Sequence, residues 1–184
     1  MNVRNSEYRF SPLVIGLHWL TVLLIIAVYA SMELRGVAPK GSALRDAMKS
    51  LHYLLGLSVL VIVVIRIGVR IQAGVKPAIQ PPMPRWQATL ADGMHYALYS
   101  FMLAMPLLGW LTLSAAGKPI VLFGLPIPSL IGTDVALSRQ LKDVHEALAT
   151  LGYVLIGLHA MAALLHHYVM RDNTVVRMLP GRRP

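Results

Sequence analysis

The sequence predicts an all-α protein of the membrane class, one integral bundle of four spanning helices over residues 1–184, and three observations predict it. Hydrophobic residues make up 56% of the 184 and the mean hydropathy is +0.61, which is too apolar for an ordinary soluble domain. Charged residues amount to 14% and avoid four stretches: Leu13 to Met32, Leu51 to Ile65, Gly93 to Gly117 and Ala147 to Met170. Three of these clear the roughly 18 residues a spanning helix requires, and the second reaches about 20 once Arg66 and Arg70 extend their charged heads to the interface. Between the stretches lie segments rich in proline and glycine, which break helices.

The first helix is predicted over about 11–32, entered through the Ser11–Pro12 pair, a helix-start signal. Arg4 and Arg9 ahead of it and the "VYA" at 28–30 imitate a signal peptide. The uncharged run is long for a signal core, however, and contains His18, so it is read as a retained helix. The loop "ELRGVAPKGSALRD" is expected to turn at Gly36, Pro39 and Gly41, and the second helix to occupy about 49–71. "GVKPAIQPPMPRW" carries four prolines and reads as a stiff, extended connection. The third helix, about 90–114, includes Pro106, which a membrane helix tolerates when neighbours satisfy the freed carbonyl. The apolar loop "GKPIVLFGLPIPSLIGTD" is expected to lie over the bundle's mouth, and the fourth helix to run over about 141–168.

The net charge of +9 does not mark a nucleic-acid binder, because the charge is divided between two sides. With both termini on one side, that side carries Arg4, Arg9, Arg66, Arg70, Lys76, Arg85, Arg171, Arg177, Arg182 and Arg183. The other carries Arg35, Lys40, Arg45, Lys49, Lys118, Arg139 and Lys142. The positive-inside rule then places both termini in the cytoplasm, with a basic outer surface remaining. There is no cysteine, which excludes disulfides, iron–sulfur ligation and covalent haem attachment within the chain.

Histidines carry the chemistry. An ionisable group inside a membrane is costly and is read as functional by default. In "HEALATLGYVLIGLHAMAALLHH", fourteen steps of about 100° bring His159 to within roughly 40° of the face of His145, about 21 Å along the axis. His52 matches the depth of His145, and His18 and His95 match that of His159. Two levels emerge, each with histidines from different helices, as bis-histidine ligation of two haems requires. Spacing leaves His18 and His95 open as the inner partner. A zinc site needs three or four ligands at one point, and a proton relay favours interspersed carboxylates, which the core helices lack. Gly16, Gly56, Gly152 and Gly157 give room beside the ligands or pack helices together. Arg66 and Arg70 follow His52 by fourteen and eighteen residues on nearly one face. They suit haem propionates, a quinone carbonyl, or the interface itself. Trp19, Trp86 and Trp110 read as interfacial anchors.

Together "LHWL", "MELRG", His52 with Arg66 and Arg70, "MPLLG" after His95, and the fourth-helix segment running into "RDNT" resemble the bacterial di-haem cytochrome b561 family. The resemblance covers nearly the whole chain. It implies two haems b, the outer held by His52 and His145 and the inner by His18 and His159. It also implies superoxide oxidation at the periplasmic face of an inner membrane and ubiquinone reduction near the inner haem. On that reading Arg35 and Lys142 steer superoxide, and His95 and His166 supply protons to the quinone. The alternative is an electron-transfer subunit that passes electrons between quinone and a separate redox protein, with the apolar 119–131 loop as its docking surface.

Overall fold

The structure, a computed structural model, describes residues 3–181, so Arg182 and Arg183 of the charge comparison lie outside the described residues. Four helices follow in order: α1 (Pro12–Val37), α2 (Ala43–Gln72), α3 (Arg85–Ala115) and α4 (Val135–Tyr168). All four are long and apolar enough to cross a membrane, and the chain is a multi-pass helical membrane bundle. Two three-residue strands, β1 (Ile120–Leu122) and β2 (Leu125–Ile127), pair antiparallel between α3 and α4. A 3-10 turn at Val176–Met178 follows α4.

Every helix is longer than its apolar run predicted, because hydropathy reports the length in lipid and caps set the true ends. α1 continues through Glu33 and Gly36 to Val37, and the chain turns only at Pro39 and at Gly41, whose φ is +79°. Arg45 closes that helix end by donating to the carbonyls of Arg35 and Ala38 at 3.1 and 3.0 Å. α2 starts behind Ser42, whose hydroxyl accepts the Arg45 N–H at 3.3 Å. α4 starts behind Asp134, whose carboxylate accepts the Leu137 N–H at 3.0 Å. Pro12 opens α1 directly after its Ser11 cap, and α3 follows Pro84 at once.

The helices divide into two compact units. One, the terminal unit, takes the chain up to Trp19, Val64–Phe101 and the chain from Leu151. The hairpin unit takes Leu20–Val63 and Met102–Thr150. Each unit therefore draws on all four helices.

In the terminal unit the two ends of the chain clasp the proline-rich linker. Asn5 donates to Ala73 and Val75, and Ala78 donates to Glu7. Asn173 exchanges backbone and side-chain hydrogen bonds with Gln80. Arg177, 8% exposed, donates to the Pro77 carbonyl and lies 5.6 Å over the Phe10 ring. Trp19 donates to Met178 at 2.7 Å. In the hairpin unit, Leu57, Leu113 and Ile120 form a buried cluster, with Tyr53, Trp110, Leu122 and Ile127 packed on it. The apolar loop is thus a hairpin seated against α2 and α3.

Candidate functional site

The hairpin unit brings His52 and His145 together, with ring centres 6.2 Å apart and planes crossed at 77°. His52 Nδ1 lies 3.1 Å from the Val28 carbonyl of α1, which accepts a hydrogen bond also from Ser31 Oγ at 2.7 Å. A carbonyl only accepts, so Nδ1 carries the proton and the Nε2 lone pair is available to a ligand. This is the orientation that ligating histidines receive from their supporting shell. His145 lies against α3 at Gly109: a Cβ there would stand 3.4 Å from its Cε1. Its Nδ1 is buried without a hydrogen-bond partner among the described residues. Tyr29 Oη donates to the Ala149 carbonyl at 2.8 Å, joining α1 to α4 one turn after His145. Below His52 on the same face of α2, Gly56 leaves open space where any other residue would put a side chain.

The terminal unit brings together His18, His95 and His159. His18 and His159 stand 6.4 Å apart between ring centres, and His95 and His159 stand 5.4 Å apart. Arg66 Nη2 donates to His18 Nδ1 at 3.2 Å while its guanidinium lies 5.3 Å over the Tyr99 ring. His95 Nδ1 donates to the Ala91 carbonyl, 2.5 Å away and one helical turn back. Beside it a cleft is lined by Arg70, Lys76, Asp92, His95, Tyr96 and Tyr99, with Lys76 and Asp92 ion-paired.

Two imidazoles bound through Nε2 to opposite sides of one iron, with metal–nitrogen bonds of about 2 Å, place their ring centres roughly 6 Å apart. His52–His145 and His18–His159 meet that separation, and His95–His159 falls short of it. No three metal-binding side chains converge tightly enough to hold a bare ion among the described residues. Paired imidazoles suit a macrocycle that brings four nitrogens of its own. The fit is direct at His52. At His18, ligation through Nε2 puts the proton on Nδ1, so Arg66 has to exchange that nitrogen for another acceptor, for which a carboxylate is well suited.

The remaining candidates fall elsewhere. His166 Nδ1 binds Asp172 at 2.5 Å in the tail clasp. Burial raises the Asp172 carboxyl, but hydrogen bonds from His166 and Thr174 outweigh it and hold the group below the ordinary carboxylate value. Lys142 pairs with Glu146 at 2.8 Å, both more than half exposed. Arg35 Nε is buried with no hydrogen-bond partner among the described residues. Sequence reasoning missed Val28, Ser31, Gly109 and Tyr99. A carbonyl and a hydroxyl on another helix leave no periodic signal, whereas Gly109, a small residue within a span, was legible in "MPLLG".

Comparison with known proteins identifies a family. The family model described as prokaryotic cytochrome b561 matches residues 9–181. Cytochrome b561 homolog 1 of Escherichia coli is 41% identical over 175 residues, covering 95% of this chain and 99% of its own. A protein of Yersinia pestis named probable superoxide oxidase CybB is 39% identical, covering 95% and 98% respectively. Cytochrome b561 homolog 2 of Escherichia coli is 28% identical over 180 residues.

Proposed function

The chain belongs to the prokaryotic cytochrome b561 family of haem b membrane electron-transfer proteins, and from that premise we propose that it is a di-haem superoxide:ubiquinone oxidoreductase. Both termini lie in the cytoplasm, the hairpin unit faces the periplasm, and the membrane is the bacterial inner membrane. Two superoxide anions each give up one electron and leave as dioxygen. Ubiquinone takes up both electrons and two protons to become ubiquinol. The observation that carries the reading is that each unit brings together two imidazoles from different helices, at ring separations of 6.2 Å for His52 and His145 and 6.4 Å for His18 and His159, which would hold one haem each. The name of the Yersinia pestis relative supports the choice of donor. Haem b, when bound, supplies reversible one-electron chemistry at its iron.

This chain's residues do the rest. His52 and His145 hold the outer group, with Val28 fixing the His52 tautomer. His18 and His159 hold the inner one, and Arg66 turns from His18 to a propionate or a quinone carbonyl. Arg35 collects the superoxide anion, with a smaller share from Lys142, whose charge Glu146 already offsets. On the cytoplasmic side, His95 delivers a proton to the reduced quinone from the cleft it shares with Arg70, Tyr96 and Tyr99. His166, with Asp172 behind it, is the second donor.

The test is an anaerobic absorption spectrum of the purified protein, titrated with superoxide and then with a ubiquinone. Haem bands that appear with superoxide and are discharged by the quinone are expected. Haems that ignore superoxide and are reduced only by a co-purifying redox protein would make the chain an electron-transfer subunit instead.

A further inference from the structure

We propose that the β1–β2 hairpin is a membrane anchor whose tip enters the headgroup–acyl boundary of the leaflet at its end of the spans. One side of the hairpin is used internally: Ile120, Leu122 and Ile127 pack onto Leu57, Leu113, Tyr53 and Trp110. The opposite side carries Val121, 50% exposed, beside its partner Pro126, and at the tip Phe123 is 75% and Leu125 70% exposed. No charge occurs from Pro119 to Thr133, and Lys118 stands exposed at the hairpin's foot.

Depth identifies the occupant. Ile120 is level with Leu57, eight residues inside Lys49, the last charge before the apolar run of α2, which is about 12 Å along the helix axis. From Ile120 to Phe123 a strand reaches at most about 10 Å. The tip therefore stands at about the level at which Lys49 pairs with Asp46. Apolar side chains at that level meet lipid, while Lys118 suits a headgroup phosphate, the division of labour of interfacial anchors. Trp110 fixes the height by donating to the Pro128 carbonyl at 3.0 Å.

The turn residues agree. Phe123 and Gly124 sit at φ 49° and 83°, a two-residue turn that asparagine–glycine fills with least strain. A phenylalanine in the left-handed region is a local cost with no gain inside the fold, since its ring is three-quarters exposed. Insertion into lipid supplies the gain.

The absence of cysteine permits a direct test. Phe123→Cys carrying a nitroxide label, in the haem-loaded protein reconstituted into vesicles of phosphatidylethanolamine and phosphatidylglycerol, is compared by power-saturation EPR with two reference sites. Leu151→Cys, 49% exposed on α4, reports lipid, and Val75→Cys, 88% exposed in the linker, reports water. The label at 123 should collide with oxygen in preference to a water-soluble nickel chelate, shifted toward the Leu151 reference. Preference for the chelate, as at Val75, overturns the proposal. A label shielded from both overturns it too and points to a protein partner or a second copy. In a second variant, Phe123→Asn preserves the turn and removes the anchor. It should shift a label at Leu125→Cys toward the nickel chelate, and an unchanged label overturns the anchoring role.

Discussion

At the residue scale, the proposed ligands and the residues proposed to support them make separable predictions. His52→Ala or His145→Ala is expected to halve the haem content by pyridine haemochrome analysis, and His18→Ala or His159→Ala to halve it through the other pair. His95→Ala should leave both haems in place, because its ring stands too close to His159 for an iron between them. Loss of a haem in that variant would reverse the assignment. Gly109 adds a graded check. A methyl there reaches ordinary van der Waals contact with His145 Cε1, so Gly109→Ala should retain both haems and Gly109→Leu should lose one. The proposed ligands stood out in the sequence because an imidazole in an apolar run is conspicuous. Spacing did not choose His18 over His95, since both lie at one depth; the family resemblance implied His18, and the rings stand 6.4 and 5.4 Å from His159 respectively.

At the element scale, the four helices followed from hydropathy, and their ends did not. Asp134 and Ser42 cap α4 and α2 outside the apolar runs, where a polar residue in a loop looks like any other. The tail clasp was also out of reach, because its partners are about a hundred residues apart in the chain. It makes a pH prediction of definite sign. A carboxyl held below its ordinary value stabilises the fold above about pH 4, and that contribution is lost as pH falls through the lower folded value. Protection of the 172–178 amides, relative to their intrinsic exchange rates, should therefore fall only in acid. Asp172→Asn should lower it at neutral pH, removing about 1–3 kcal/mol of local stability, and should flatten the acid response. Equal protection in the variant and the parent at neutral pH would show that the His166–Asp172 contact does not hold the tail.

At the scale of the whole molecule, the bundle was readable from the distribution of charge along the chain. The two histidine levels were readable from spacing as well, whereas the division into two compact units, with His52 and His145 in one and His18, His95 and His159 in the other, required coordinates. Orientation is checked by reporter fusions: one that is active only in the periplasm should work within the 118–134 loop and stay silent after Pro184. Arg35→Gln should slow superoxide-driven haem reduction, most at low salt, and exceed the effect of Lys142→Gln, while reduction by quinol is unchanged. The most direct measurement follows superoxide-driven haem reduction and ubiquinol formation in the parent protein, in His159→Ala and in His145→Ala. His159→Ala is expected to keep a haem that superoxide reduces but to form no ubiquinol. His145→Ala is expected to keep a haem that quinol reduces and superoxide does not. Ubiquinol formation at the parent rate in either variant would contradict a path that runs through both pairs.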